Sequence, residues 1–164
     1  MSDPAAPQPP SGSRPHISSN QMKSTVQGAD RFDLAQVGLA LLIFIASLLP
    51  FYTYSVSVGG FEASESFNAW HGFFGWFGVL LALAAAGLLV ASMLGVVAVP
   101  SMRLVVLGLF AAAAVCLLLA LFGTPGGGVS GPGYDDGHGF GYWLALLCSL
   151  GAAALAFLRK DASS

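Results

Sequence analysis

Charge is what this chain has least of. Only 9% of its 164 residues are Asp, Glu, Lys or Arg, where soluble globular domains carry about a quarter. With 55% hydrophobic residues, a water-soluble globular fold is excluded. Bases are scarcer still, and all six lie in segments 1–33, 100–103 and 159–164. A net charge of −2 without a basic cluster gives a nucleic acid nothing to hold, so none is expected as a partner. Arg14, Lys23 and Arg31 are too dispersed to capture anionic headgroups as a polybasic segment does. Cysteine is nearly absent. Cys116 and Cys148 both fall inside apolar runs, so no disulfide holds the polar connections.

The apolar runs also lack ionisable side chains. Away from their outer ends, their polar residues are only Gln36, Ser47, Ser92, Cys116, Cys148 and Ser149, so one chain alone has no material for an ion or substrate pathway. A serine nucleophile needs a base within hydrogen-bond reach, and no run supplies one. No pair of potential metal ligands has a recognised spacing. Catalytic residues, a cofactor and a metal are therefore not expected, and the chain reads as a non-enzyme.

What is present is four long apolar stretches, each exceeding the roughly 20 residues needed to cross hydrocarbon. They place spans near 34–54, 73–97, 104–122 and 140–158. Arg14, Lys23 and Arg31 precede the first, Arg103 lies in the middle turn, and Arg159 with Lys160 follows the last. The positive-inside rule makes these segments cytoplasmic. The expectation is a multi-pass plasma-membrane protein with both termini in the cytoplasm and Glu62, Glu65, Asp135 and Asp136 outside. The first span is not expected to be a cleavable signal: about 30 mostly polar residues precede it, it outlasts a 7–15 residue signal core, and no A-x-A-like site follows. Scarce Ile, Lys and Asn beside abundant Ala and Gly fit a high-GC bacterium.

Residues 1–30 hold Pro4, Pro7, Pro9, Pro10 and Pro15 and too few large apolar side chains to offset ordering, so they read as a disordered cytoplasmic tail. Residues 31–164 read as an all-α bundle of four transmembrane helices. Ser55 to Val58 alternate polar and apolar, and a short hairpin with Phe61–Phe67 around Gly59-Gly60 is expected. Residues 123–139, with eight glycines, read as a flexible loop. The turn at Pro100–Arg103 is too short for anything but antiparallel neighbours.

His71-Gly72-Phe73-Phe74-Gly75-Trp76 opens the second span, and His138-Gly139-Phe140-Gly141-Tyr142-Trp143 opens the fourth, 67 residues later. His and Trp each occur three times in the chain, so a shared H-G-F-x-x-W points to a duplicated helical hairpin. Small residues recur every fourth position as Gly87, Ala91, Gly95; as Gly108, Ala112, Cys116, Ala120; and as Gly141, Ala145, Ser149, Ala153. Such stripes let helices approach closely. Every Trp and Tyr falls at the outer ends of the spans, a one-sided aromatic belt.

His71, Trp76, Asp135, Asp136, His138 and Trp143 are therefore the candidate outer recognition patch. Its carboxylates and imidazoles suit Zn or Mn chemically, but their spacing favours solvated loop charges. Cys116 and Cys148 fall about 10–12 Å below the outer surface at a 1.5 Å rise, where small packing residues are expected.

Leu48-Leu49-Pro50-Phe51-Tyr52, Ser66-Phe67-Asn68-Ala69-Trp70 and Gly139-Phe140-Gly141-Tyr142-Trp143 give residues 34–158 a resemblance to a group of small four-span membrane proteins of actinobacteria. The resemblance implies topology and source, and no activity or catalytic residue. The expected function is a non-enzymatic membrane scaffold or accessory subunit, in contact with lipid and with a membrane-protein partner or further copies of itself. The alternative is a small channel or transporter formed on oligomerisation; an outer metal-dependent activity comes third.

Overall fold

The computed structural model describes residues 30–97, 100–123 and 133–160. The proline-rich tail, save Asp30, and residues 161–164 lie outside the described residues. Among the described residues four helices dominate: α1 (Arg31–Leu48), α2 (Phe73–Met93), α3 (Met102–Ala120) and α4 (Phe140–Lys160). All four are long and apolar enough to cross a membrane, as in a multi-pass membrane protein. The fold is not wholly α-helical. A sheet of β1 (Tyr52–Val58), β2 (Phe61–Phe67) and β3 (Tyr134–His138) runs in the order β2-β1-β3.

Local chemistry sets the helix ends. Asp30 caps α1 by accepting from the Phe32 N–H. Pro50 restrains the residue before it from helical backbone, so α1 stops at Leu48 and Tyr52–Tyr54 belong to β1, not to a span reaching Tyr54. At the far end of α2, Gly95 takes φ +68°, with Gly95 N–H donating to the Ser92 carbonyl and Val96 N–H to that of Ala91. This is a Schellman cap, and it closes α2 at Met93 rather than Val97.

Each helix packs against two others, α1 with α2 and α4, and α3 with α2 and α4. The buried faces are built largely from small side chains: Ala40, Ala46 and Ser47 of α1, Ala82, Ala85 and Ala86 of α2, Ala113 of α3, and Ala145, Ser149, Ala152 and Ala156 of α4. Larger ones turn outward, among them Leu41, Ile45, Leu80, Leu104, Val115 and Leu147. In lipid no hydrophobic gradient draws helices together, so van der Waals contact between closely approaching backbones does. Gly141 is the tightest such point between α1 and α4, since a Cβ there would lie 2.5 Å from the Ala46 carbonyl oxygen.

The small-residue stripes distribute unevenly. In α4, Gly141, Ala145 and Ser149 are buried, and the face continues through Ala152 instead of Ala153. In α3 the packed face is Val106, Phe110, Ala113, Leu117 and Ala120, with Ala112 and Cys116 on its flank and Gly108 exposed. In α2 the packed face is Gly75, Gly78, Val79, Ala82, Ala85, Ala86 and Leu89. Gly87 is exposed, Ala91 is half-buried, and Gly95 lies beyond the helix. Open space surrounds Gly87 and Gly108 where a Cβ would sit.

Candidate functional site

The sheet stands at the helix ends opposite the basic residues, because α1 runs from Arg31 into β1 and β3 runs into α4, which ends in Arg159 and Lys160. Gly59 and Gly60 supply the two positive φ values, +60° and +87°, that a two-residue hairpin turn requires. β3 was not legible as a strand. Its Tyr-Asp-Asp-Gly-His sequence disfavours strand, yet it pairs antiparallel with β1 from Val56–Tyr134 to Tyr52–His138, inside the segment expected to be a flexible loop.

The register puts Phe67, Tyr52 and His138 in one cross-strand row at the base of the sheet. This row is an aromatic knot. Phe51 meets Tyr52 and Tyr142 edge-on at 5.0 and 5.2 Å, and the His138 ring lies 4.4 Å from Tyr142 and 5.7 Å from Tyr52. Two of the expected belt tyrosines, Tyr52 and Tyr142, are thus fully buried packing residues rather than headgroup anchors. The Tyr142 hydroxyl donates to the Leu117 carbonyl at 3.1 Å, and His138 Nε2 donates to that of Ala120 at 3.2 Å. Both acceptors lie in the last turn of α3, where helix carbonyls run short of partners. The Tyr52 hydroxyl is buried with no hydrogen-bond partner among the described residues. Burial, reinforced by Tyr54 and Tyr142, pushes its pKa up to about 12.

The two H-G-F-x-x-W segments differ in local structure. His71 closes a short 3₁₀ turn, Ala69–His71, capped by Asn68, whose side-chain oxygen accepts from the Trp70 N–H and lies 2.9 Å from His71 Nδ1. His138 instead ends a strand. The His71 ring packs on Phe67 at 5.1 Å, which places the histidines on opposite sides of the knot. Trp76 is half-buried beside Phe73 and Phe77, while Trp143 is half-exposed against Tyr142.

Asp135 and Asp136 are exposed on β3 and, being consecutive, point to opposite faces. Asp135 shares its face with Ser55 and Ser64, and Asp136 shares the other with Tyr54 and Glu65. The six expected patch residues therefore lie around one end of the fold without converging on a point. Among the described residues no three His, Cys, Asp or Glu side chains gather as a metal site would need.

A polar cluster at the opposite end escaped sequence reasoning. Arg159 pairs with both Asp30 and Asp33, its guanidinium 5.5 Å over the Phe32 ring. Arg103 Nη1 donates to the Arg159 carbonyl at 3.2 Å, and buried Gln36 donates to the Ala152 carbonyl at 3.4 Å. Asp33, Gln36, Ser92, Arg103 and Arg159 line a cavity of about 210 Å³ walled by all four helices. Gln36, Ser92, Arg103 and Arg159 each stood out in the sequence, but nothing in their spacing showed that they converge. Comparison with known protein families and with curated proteins finds no match.

Proposed function

We propose that the chain is a non-enzymatic scaffold or accessory subunit of the plasma membrane. It is a four-helix bundle, a duplicated hairpin in descent, with both termini in the cytoplasm and the sheet outside. The distribution of bases supports this orientation, since Arg31, Arg103, Arg159 and Lys160 all belong to the end away from the sheet. The observation that carries the reading is the sheet itself: three strands locked to the helix ends through a buried aromatic knot, with Glu62, Glu65, Asp135 and Asp136 exposed. A rigid, exposed, charged platform on an anchored base suits recognition of another protein, and His71, Trp76 and Trp143 border it.

After mild detergent extraction from its native cells, the protein should migrate with a partner in fixed ratio. Purified alone in liposomes, it should pass no ions. The second reading, a channel or transporter formed on oligomerisation, draws on the cavity between the four helices at the basic end. Ion flux from the purified chain, with no partner in the native extract, would overturn the scaffold reading in favour of the channel.

A further inference from the structure

β2 is an edge strand. Among the described residues only β1 pairs with it, and Phe61 to Ser66 are all exposed. A row of unpaired N–H and C=O groups is a template for another strand, and adding an extended segment to such an edge is a recurrent mode of peptide binding. β3, the other edge, is shorter, with five residues against seven in β2.

Charge decides which strand the edge accepts. Glu62 and Glu65 lie on opposite faces of β2, Asp135 and Asp136 on opposite faces of β3, and no Lys or Arg stands between Arg31 and Arg103 or between Arg103 and Arg159. A second copy fits badly. The free N–H and C=O groups of β2 belong to residues 62, 64 and 66, so antiparallel pairing of β2 with itself sets Glu62 opposite Glu62 or Glu65 opposite Glu65 in the outer registers, and in the two central registers puts Glu62 diagonal to Glu62 or Glu65 diagonal to Glu65. Like charges that close are destabilising. A basic strand meets the reverse situation on both faces. On one face, Ser55, Ser57, Glu62, Ser64 and Asp135 also line an open hollow of about 630 Å³, which offers hydroxyls and carboxylates to a cationic side chain.

We infer that the β2 edge receives an extended, Lys- or Arg-bearing segment of a partner protein as a fourth strand. Main-chain bonds supply the attachment, and Glu62 and Glu65 select the charge while barring self-pairing. The inference rests on the scaffold reading and names its partner's chemistry.

The test uses the full chain in nanodiscs of neutral phosphatidylcholine, at low salt, with labelled seven-residue peptides read by fluorescence anisotropy. One probe alternates Val and Lys, a second carries Glu in place of Lys, and a third is the Lys peptide with alternate amides N-methylated. The Lys peptide should bind at least about tenfold more tightly than either of the others. Glu62→Gln with Glu65→Gln should weaken it by about tenfold or more at an unchanged melting temperature. No binding, equal binding by the N-methylated peptide, or equal binding to the double variant overturns the inference. So does a second copy of the chain that competes with the Lys peptide for β2. If the native partner stays with the double variant in full, the edge inference fails while the scaffold reading stands; if no partner is found with the parent chain, the scaffold reading fails too.

Discussion

The same deletion, a single phenolic oxygen, should shift stability in opposite directions at Tyr52 and Tyr142, although both side chains are fully buried. Tyr142→Phe removes the donor to the Leu117 carbonyl. Such a bond contributes about 0.5–1.5 kcal/mol net, and interhelical bonds measured in a membrane protein average about 0.6 kcal/mol, so a loss of about 1 kcal/mol is expected. Tyr52→Phe removes a hydroxyl with no hydrogen-bond partner among the described residues. A buried unsatisfied polar group costs about 1–3 kcal/mol, so this variant should gain up to that amount. The two should differ by about 1–4 kcal/mol. Thermal unfolding in one mild detergent, followed by tryptophan fluorescence, should place Tyr52→Phe above the parent and Tyr142→Phe below it. A Tyr52→Phe protein that melts below the parent would refute the reasoning, since it would mean the hydroxyl has a partner. The pH dependence adds a second readout. The folded chain holds the Tyr52 proton up to about 12 against the ordinary 10.0, so this group leaves stability independent of pH below 10 and lowers it as pH rises toward 12, where the unfolded chain alone ionises. Tyr52→Phe should flatten that alkaline loss.

Gly141→Ala should destabilise by about 1–3 kcal/mol through overpacking, because its Cβ would crowd the Ala46 carbonyl and the Leu49 side chain. Gly108→Ala, with open space around it, should be neutral or stabilising by up to about 1 kcal/mol. Equal melting of the two would mean that α1 and α4 do not meet at Gly141. Arg159→Gln should cost about 1–3 kcal/mol by stranding Asp33 in a largely buried pair, whereas Asp30→Asn keeps the α1 cap and loses only an exposed contact, under about 1 kcal/mol. His138→Ala should lower the melting temperature more than His71→Ala, since only His138 closes the end of α3; the reverse order would show that the α3 clasp contributes nothing.

The helices were legible because uninterrupted hydropathy is a long signal, and the first hairpin because Gly59-Gly60 is a short but specific one. Where the spans end was less legible. Phe51 is as apolar as what precedes it, and Tyr52 and Tyr54 suit the outer end of a span, so only the restraint of Pro50 separates them from α1. The stripe positions failed to stand out for a related reason: in a chain this rich in Ala and Gly, a face through Gly108 and Ala112 and a face through Phe110 and Ala113 both read as packable. Only the neighbouring backbone selects one. Gly141 was identifiable as a small residue, but that it meets the Ala46 carbonyl is a property of α1. β3 was hidden most completely, because nothing within Tyr-Asp-Asp-Gly-His favours a strand. Its conformation comes from β1, some 80 residues earlier.

That long-range pairing gives the sheet its mechanical meaning. β1 continues from α1, β2 leads through the 3₁₀ turn into α2, and β3 leads into α4, so each strand is an extension of a different helix. The remaining helix, α3, joins through side chains, as His138 and Tyr142 bond the carbonyls at its end. Every helix therefore reports to the same knot around Phe51 and Tyr52. A strand bound at β2 would act directly on α2 and, across the ladder, on α1 and α4, with the buried knot resisting independent movement. At the other end Arg159 joins α4 to α1, and its carbonyl receives Arg103 of α3, while α2 contributes only Ser92 and Leu89 to the cavity wall. α2 thus carries the open edge at one end and lines the cavity through Ser92 and Leu89 at the other, so occupancy of β2 should register there as altered accessibility of Ser92 to a cysteine-directed label in a Ser92→Cys variant. Labelling that is indifferent to the bound strand would show the two ends to be mechanically independent.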